Sequence, residues 1–455
     1  MLPEYFEARE RALLGSRFEE IYAPDGQAAR GVTVNGLRCE PEVFAGLADF
    51  ALAPSPFCKE GFVVNEPEFK PGRHPYHHAG VFYSQEPSAS APAALLDVHP
   101  GMKVLDTCAA PGGKSSQLAA ALKGEGLLVS NEYNAARAEA LKSNLERMGV
   151  PNAMVTNADT GVLAKAFPGF FDRILVDAPC SGEGMFRKEP QALAQHCEAL
   201  VEQCAALGAE ILENAVNMLA PGGLLVYSTC TFAPQEDEGQ VARLLAEHPE
   251  LTLLPIEVGF GSPGEANRCG DFPLDVQKVR RIWPNQGGEG HFMALIQKSE
   301  DAEPAPIPKK RKGSSAKRPK PDPDWQTFAK NYFPTLADRP TRKAGEMLLL
   351  PPEVEIPDGK YRILRCGVAL GAGRKGRFEP SHHLFTAFGA QCTNIEELVL
   401  SDERTAAWLR GEEIEARTAK NGWCAVLVDG FPLGGGKVSG GKVKNHYPKA
   451  LRNLK

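Results

Sequence analysis

Short apolar runs alternate with longer amphipathic stretches between residues 101 and 298. Runs rich in Val, Ile and Leu predict strands at 103–106, 126–131, 153–157, 171–177 and 223–229. The amphipathic stretches between them predict helices at 114–123, 134–148, 191–219 and 234–248. Strands that alternate with helices form parallel sheets through right-handed crossovers, so this region predicts an α/β fold with a doubly wound sheet.

Two apolar patterns lie beside this alternation. A run at 291–296 follows a glycine-rich turn, and we expect it to pair antiparallel at the edge of the sheet. Near the N-terminus, residues 5–20 have the spacing of an amphipathic helix and residues 31–34 that of a strand. These elements predict an N-terminal accessory domain over residues 1–70.

The rest of the chain divides by composition. Residues 71–299 form the predicted core domain, and residues 300–324 are rich in Pro and Lys with almost no apolar side chains, as in a linker. Residues 325–455 are glycine-rich with short apolar runs, of which 423–428 is the clearest strand. We expect them to form a separate compact domain, either α+β or rich in β-structure.

The bulk composition limits the class of protein. The chain has 455 residues, 43% of them hydrophobic and 24% charged, as in soluble proteins of more than one domain. It contains no stretch near the roughly 20 continuous apolar residues that span a bilayer. The first residues lack the basic and apolar blocks of a secretory signal. We therefore expect a cytoplasmic protein with no membrane partner.

The eleven cysteines do not form a metal or disulfide pattern. No pair has the Cys-x-x-Cys spacing of zinc sites and dithiol motifs, so no metal is expected. An odd number of cysteines without a secretory signal also argues against a disulfide framework. Cys197 and Cys204, seven residues apart in a helical pattern, are predicted to be small buried core residues.

Charge is unevenly distributed along the chain. The net charge is −6, yet residues 304–324 contain seven Lys and Arg side chains, and residues 430–455 contain six without one acid. Either run alone is typical of a solvated segment. Together with the chemistry described next, these local patches favour a nucleic-acid partner.

A glycine-rich turn follows the first core strand. It reads Thr107-Cys108-Ala109-Ala110-Pro111-Gly112-Gly113-Lys114 and opens a helix, so its backbone can approach a ligand closely. A P-loop would match Gly113-Lys114-Ser115 but requires glycine where Cys108 stands, and the dinucleotide pattern G-x-G-x-x-G is absent. A third interpretation is a turn that binds S-adenosyl-L-methionine.

Acids at the next two strand ends favour that third interpretation. Glu132 lies about 20 residues beyond the glycine turn, the separation expected of a carboxylate that binds ribose hydroxyls. Asp159 follows the third strand and is placed to accept a hydrogen bond from the adenine amino group. Either acid alone is more typical of a solvated strand end. The glycine turn, Glu132 and Asp159 at three successive strand ends together indicate a cofactor pocket.

Two further strands end in cysteine motifs. Cys180 lies in Asp177-Ala178-Pro179-Cys180-Ser181-Gly182, and Cys230 lies in Tyr227-Ser228-Thr229-Cys230-Thr231. Both thiols are therefore predicted at the carboxyl edge of the sheet, where ligands bind. A structural role is the usual alternative for a single cysteine.

A methyl donor beside two thiols indicates methylation at carbon 5 of cytosine. A thiolate that adds to carbon 6 makes carbon 5 nucleophilic, and a base later removes the carbon 5 proton. Lys114 is a candidate to stabilise the thiolate, and Asp177 to hydrogen-bond the cytosine. The target base must be unpaired or flipped out of its helix.

The loop motif from Asp106 to Lys114 and the two cysteine motifs, in this order, resemble those of the NOL1/NOP2/Sun family of RNA cytosine-5 methyltransferases. The resemblance covers roughly residues 70–300 and implies a Rossmann-like methyltransferase core. It implies Cys230 as the nucleophile, Cys180 as the residue needed for product release, and Lys114 and Asp177 as residues that assist at the base. The implied cofactor pocket comprises Cys108, Ala109, Ala110, Pro111, Gly112, Gly113, Lys114, Glu132, Asp159 and Asp177.

Weaker similarity at both ends resembles the bacterial branch of the family that modifies small-subunit (16S) ribosomal RNA. It implies a PUA-like RNA-binding domain at the C-terminus. Transfer RNA remains an alternative substrate, and a P-loop NTPase and a non-catalytic RNA-binding protein remain alternative functions. DNA is not expected, because the cytosine-5 DNA enzymes place their nucleophile in a Pro-Cys context, which here would favour Cys180.

Overall fold

A computed structural model describes residues 2–22, 29–303, 320–374 and 377–452 of the chain. Within these ranges the strands form four sheets, one of nine strands and three smaller ones. No helix of the described part is long and apolar enough to cross a membrane. The largest sheet lies in the region for which the sequence predicts the doubly wound fold, and that fold class is confirmed.

The N-terminal region contains a small antiparallel sheet. Its elements are α1 (Glu4–Leu14), α2 (Arg17–Ile21), β1 (Gly31–Val34), α3 (Pro41–Leu47), β2 (Leu52–Pro54), β3 (Gly61–Val64), α4 (Pro75–His78) and β4 (Phe82–Gln85). The strand order is β2-β3-β1-β4, so this sheet extends beyond residue 70. The predicted N-terminal helix is two helices, because Gly15 ends α1 with φ +56°, a left-handed conformation that suits glycine.

The central region contains α5 (Ala91–Ala94), β5 (Lys103–Asp106), α6 (Gly113–Ala121), β6 (Leu127–Asn131), α7 (Ala135–Arg147), β7 (Ala153–Asn157), α8 (Thr160–Ala166) and β8 (Phe171–Asp177). It continues with α9 (Pro190–Gln195), α10 (Glu198–Met218), β9 (Leu219–Thr229), α11 (Glu238–Glu247), β10 (Leu251–Leu254), β11 (Arg280–Ile282) and β12 (His291–Lys298). The five strands predicted in the core are present as β5 to β9.

Strands β9, β8, β5, β6 and β7 are neighbours in this order and run parallel. Alternate strand residues face two apolar layers: Leu105 packs in the layer that includes Leu212 of α10, whereas Val104 packs in the layer that includes Leu118 and Leu141 of α6 and α7. Both faces of the sheet are thus covered by helices, which explains why its strands have continuous apolar sequences.

Three predictions for this region are wrong in detail. Strand β12 pairs antiparallel but is not at the edge, because β10 and β11 add to its other side. The helix predicted at 191–219 is broken between α9 and α10, where the buried His196 ring contacts Glu183. Cys197 stands at this break and is exposed rather than buried.

The C-terminal region contains two sheets. Its elements are α12 (Pro323–Tyr332), β13 (Arg342–Ala344), β14 (Met347–Leu350), β15 (Arg362–Cys366), β16 (Val368–Arg374), β17 (Arg377–Pro380), α13 (His382–Phe388), β18 (Ile395–Leu398), α14 (Glu403–Arg410), β19 (Ile414–Glu415), β20 (Gly422–Val428), β21 (Phe431–Ser439) and β22 (Lys442–Asn445). The sheet orders are β13-β14-β16-β17 and β18-β20-β21-β22-β19.

One C-terminal strand leaves its neighbours and joins the core. Strand β15 pairs antiparallel with β7 and so extends the central sheet. Residues 304–319, most of the predicted linker, lie outside the described residues, and α12 begins at Pro323, inside the predicted linker range.

Candidate active site

The order of the parallel strands reverses at β5. Strand β5 lies between β8 and β6, although β8 comes later in the chain than β6 and β7. In an open α/β sheet, ligands bind beyond the carboxyl ends of the strands at such a switch point. The residues that the sequence predicts for the cofactor and for catalysis follow the carboxyl ends of β5, β6, β7, β8 and β9 at this edge.

The glycine-rich turn is fixed by contacts with β6. The Ala109 amide donates to the Asn131 carbonyl at 2.8 Å. Gly112 has φ +116° and directly precedes α6, a conformation that side-chain-bearing residues rarely adopt. A Cβ at Gly113 would lie 2.3 Å from the Gln85 side-chain oxygen. The backbone conformation therefore requires glycine at 112, and glycine at 113 allows close packing against Tyr83 and Gln85.

The two strand-end acids differ in their surroundings. Glu132 at the end of β6 is buried, and its Oε1 accepts a hydrogen bond from the Asn134 amide at 2.8 Å. Asp159 after β7 is exposed, and its Oδ1 accepts from the Gly161 amide at 2.9 Å, which caps α8. Glu132 is thus a buried carboxylate beside the turn, whereas one oxygen of Asp159 already has a structural role.

The two cysteines come together at the ends of adjacent strands. Asp177 of β8 is in register with Ser228 of β9, and each strand continues into its cysteine motif. The Sγ atoms of Cys180 and Cys230 are 3.4 Å apart, and both residues are partly exposed. The contact of its thiol with Cys230 raises the pKa of Cys180 well above its usual value, and burial raises it further. The Cys180 thiol therefore holds its proton beside the Cys230 sulfur.

An ion pair lies beside these thiols. Lys114 Nζ donates to Asp177 Oδ2 at 2.8 Å, and the Ser228 hydroxyl donates to Asp177 Oδ1 at 2.7 Å. Burial acts to lower the pKa of Lys114, but the Asp177 carboxylate outweighs it and the net pKa is raised; Cys230 contributes in the same direction. Burial likewise acts to raise the pKa of Asp177, but Lys114, His291 and the Ser228 hydrogen bond together outweigh it and the net pKa is lowered. The site holds a lysine cation and a carboxylate next to Cys230.

Sequence reasoning assigns no role to Asp106, at the end of β5. Its Oδ2 accepts from the Ser115 hydroxyl at 2.7 Å, whereas its buried Oδ1 has no partner among the described residues. Burial raises the pKa of this carboxyl to about 7. The rule that singles out Glu132, an acid at a strand end, also applies to Asp106 and would have found it.

The arrangement fits S-adenosyl-L-methionine. The buried, unpartnered oxygen of Asp106 is an acceptor that suits the amino group of the methionine part, and the buried carboxylate of Glu132 suits ribose hydroxyls. The glycine turn between them can approach a ligand with its backbone.

Four family models together match most of the chain. The descriptions are N-terminal domain of 16S rRNA methyltransferase RsmF over residues 2–87, 16S rRNA methyltransferase RsmB/F over 93–297, RsmF rRNA methyltransferase first C-terminal domain over 327–388, and Methyltransferase RsmF PUA domain over 396–453. The two C-terminal matches correspond to the two C-terminal sheets.

Full-length relatives give the same result. Ribosomal RNA small subunit methyltransferase F of Enterobacter sp. (strain 638) is 33% identical over 438 residues, which cover 93% of this chain and 89% of that protein. The protein of the same name from Cronobacter sakazakii is 32% identical over 478 residues, which cover 99% of this chain and 96% of that protein.

Solved structures resemble the central part of the fold. A methyltransferase homolog protein from Pyrococcus horikoshii has a TM-score of 0.59 and 30% identity, over 65% of this chain and 95% of that chain. NSun6 from the same organism, solved with SFG, has a TM-score of 0.55 and 20% identity, over 66% of this chain and 99% of that chain. The second likeness concerns the fold alone.

Proposed function

The chain belongs to the RsmB/F family of 16S rRNA methyltransferases, whose members use S-adenosyl-L-methionine, and from this membership we propose that it methylates carbon 5 of a cytosine in small-subunit ribosomal RNA. The observation that supports the chemistry is the contact of two thiols, Cys180 and Cys230, beside the Lys114 to Asp177 ion pair. A P-loop NTPase requires neither thiol, so the family and the site favour a methyltransferase.

The proposed cofactor pocket follows the edge of the sheet. Residues 108–114 provide backbone groups, the Glu132 carboxylate binds the ribose hydroxyls, and Asp159 contacts the adenine amino group. Asp177 closes the pocket on the side of the thiols. When bound, S-adenosyl-L-methionine supplies an electrophilic methyl group.

Cys230 is the proposed nucleophile. Its thiolate adds to carbon 6 of the cytosine, which makes carbon 5 nucleophilic toward the methyl group. Lys114 favours the thiolate by its positive charge, because Cys230 lies close enough to contribute to the raised pKa of Lys114. Asp177, held by Lys114 and Ser228, is placed to orient the cytosine amino group.

Cys180 is the proposed residue for product release. After methylation a base removes the carbon 5 proton, the carbon 5 to carbon 6 double bond forms, and the bond from carbon 6 to the Cys230 sulfur breaks. Cys180 lies 3.4 Å from that sulfur, where it can assist this elimination. The target base must be unpaired or flipped out to reach both thiols.

RNA binding is proposed for the regions that flank the core. The PUA match and the lysines of β21 and β22, Lys437, Lys442 and Lys444, support RNA contacts in the C-terminal region. The division of the chain at residue 299 is part of this proposal, whereas the first division is set after β4 rather than at residue 70 and the last before α12 rather than at residue 324.

The test compares single cysteine variants with the wild-type protein on unmodified small ribosomal subunits and their RNA. With S-adenosyl-L-methionine, bisulfite sequencing is expected to reveal a new 5-methylcytosine with wild type and none with Cys230→Ala. Cys180→Ala is expected to accumulate a covalent protein–RNA complex on denaturing gels. Cys197→Ala, an exposed cysteine outside the site, is the matched control.

Each outcome has a definite meaning. Accumulation of the complex in Cys230→Ala instead of Cys180→Ala would reverse the two roles. Methylation of transfer RNA but not of the subunit or its RNA would keep the chemistry and discard the ribosomal substrate. Calorimetry that detects ATP binding but no S-adenosyl-L-methionine binding would overturn the cofactor assignment.

A further inference from the structure

A buried carboxylate connects the turns that follow the two cysteines. Glu236 is 1% exposed and lies between β9 and α11. Its Oε2 accepts from the Ser181 amide at 2.8 Å, and its Oε1 accepts from the Ser181 hydroxyl at 2.6 Å. The Ser181 hydroxyl is also 2.7 Å from the Thr231 hydroxyl. Ser181 directly follows Cys180 and Thr231 directly follows Cys230, so one carboxylate holds both turns.

The direction of these hydrogen bonds follows from the charge of Glu236. An ionised carboxylate only accepts hydrogen bonds, so the Ser181 hydroxyl donates to Glu236. The Ser181 oxygen then accepts from the Thr231 hydroxyl. A second contact joins the same turns, since the Gly184 amide donates to the Cys230 carbonyl at 2.9 Å. The Tyr227 hydroxyl donates to the Glu236 backbone carbonyl at 2.5 Å and so holds the backbone of Glu236 in place.

The two thiols therefore have neighbours of opposite charge. Cys230 lies on the side of the Lys114 cation, whereas Cys180 lies on the side of the Glu236 carboxylate. A nearby anion disfavours a thiolate and a nearby cation favours one. Two sulfur atoms 3.4 Å apart do not both ionise readily, so the contact between the thiols and the charges around them act together on their ionisation.

We infer that Glu236 is a positioning residue that holds the Cys180 and Cys230 turns together and adds a negative charge on the side of Cys180, which favours the protonated form of that thiol. This inference deepens the proposed function and rests on it for the roles of the two cysteines. Glu236 is enclosed by protein and acts through Ser181, Thr231 and Cys180.

The pH range of this effect depends on the ionisation of Glu236. Burial raises its pKa to about 7, and the contacts with Ser181 act in the opposite direction. The titratable and charged groups around Glu236 and the thiols are Arg9, Lys114, Asp177, Cys180, Glu183, Cys204, Tyr227, Cys230 and Asp237. Above pH 7 the carboxylate is charged and Cys180 holds its proton most strongly.

Thiol alkylation tests the inference without RNA. Wild type, Glu236→Gln and Ser181→Ala are treated with iodoacetamide from pH 6 to pH 10, and modified Cys180 and Cys230 peptides are measured by mass spectrometry. In Glu236→Gln the Cys180 rate at pH 8 is expected to rise about ten-fold, the change produced by a pKa shift of one unit. Glu247→Gln, an exposed acid at the end of α11, is the matched control and is expected to match wild type.

Ser181→Ala separates charge from geometry. This variant keeps the Glu236 carboxylate but loses the hydroxyl link to Thr231, so its Cys180 rate is expected to change less than that of Glu236→Gln. An unchanged Cys180 rate in Glu236→Gln, or equal increases in both variants, would overturn the electrostatic role.

Activity provides a second readout. Glu236→Gln is expected to lower kcat about ten-fold, leave the KM for S-adenosyl-L-methionine unchanged and move the pH optimum to lower pH, because Cys180 loses its proton earlier. An unchanged pH optimum with lowered kcat would indicate a structural role only and would overturn the inference. No methyl transfer by wild type would defeat the proposed function, while the alkylation result would still decide the role of Glu236.

Discussion

Two ion pairs of similar geometry have different surroundings. In the first, Lys114 and Asp177 are 2.8 Å apart, with side chains 14% and 28% exposed. In the second, Arg268 and Glu10 are 2.7 Å apart and both side chains are 0% exposed. The first lies at the carboxyl edge of the central sheet, whereas the second joins helix α1 to the core. The comparison separates a charge pair that is open to a ligand from one that is enclosed by protein.

Enclosure determines what each pair can do. Arg268 also donates to the Phe232 carbonyl at 2.7 Å and pairs with Glu265 at 2.8 Å, so its guanidinium is held by several protein acceptors. Removal of one partner of such a buried pair leaves an uncompensated charge. Lys114 and Asp177 lie beside the cofactor turn and the thiols and are partly exposed, so their charges can interact with a bound ligand.

The largest expected effect is on the enclosed pair. Arg268→Ala is expected to lower the free energy of unfolding by about 3–5 kcal/mol, because Glu10 and Glu265 would both lose the buried cation that they share. Chemical denaturation measures this change. Arg243→Ala, which removes a partly exposed i, i+4 partner of Glu247, is the control and is expected to cost less than about 1 kcal/mol. Equal losses in the two variants would contradict the comparison.

The next effect concerns the open pair. Lys114→Met is expected to lower kcat by about 100-fold, as when one preorganised donor is removed from a catalytic site, and to lower the free energy of unfolding less than Arg268→Ala does, because Asp177 keeps its hydrogen bond from Ser228 and is 28% exposed. Steady-state methylation assays and denaturation of the same sample measure both quantities. Lys142→Met removes a surface lysine that pairs with Glu139 and is expected to change neither. A large loss of stability in Lys114→Met would make the two pairs alike.

A third effect depends on pH and concerns Glu183, which links the turn after Cys180 to helix α1. It follows the Cys180 motif and binds Arg9 of α1 at 2.7 Å and His196 at 2.7 Å. Burial acts to raise its pKa, but His196 and Arg9 outweigh burial and lower it to about 2. A lowered folded-state pKa means that this stabilisation is present above pH 4.5 and disappears as the pH falls toward 2.

The stability difference between wild type and Glu183→Gln is therefore expected to shrink by up to about 3 kcal/mol between pH 4.5 and pH 2. Denaturation curves at several pH values measure it. Glu247→Gln, whose carboxylate is exposed, provides the matched comparison. A difference that stays constant over this range would contradict the role assigned to the Glu183 charge.

Most of the central sheet was predictable from local pattern. Buried parallel strands have continuous apolar sequences, so the bounds of β5, β7 and β8 agree with the predicted ranges. The break between α9 and α10 was not predictable, because it depends on the contact of His196 with Glu183, which is 13 residues away. The addition of β15 to β7 pairs residues about two hundred positions apart and has no local signal.

The candidate site divides in the same way. The glycine-rich turn and the two cysteine motifs are contiguous in the chain, so sequence reasoning found them and their order. Lys114 and Asp177 were both singled out, but their hydrogen bond joins residues 63 positions apart and only the fold shows it. Glu236 lies in a run of acidic residues after Cys230, and such a run is typical of a solvated segment.

By itself, the sequence determined the elements of the core, the turn for the cofactor and the two thiols at strand ends, because each depends on neighbouring residues. Only the tertiary structure decided how those thiols differ. It places Lys114 beside Cys230 and Glu236 beside Cys180, and it encloses Arg268 while leaving Lys114 open. Charge and burial act over distances in space, so residues far apart in the chain set the chemistry of each sulfur atom.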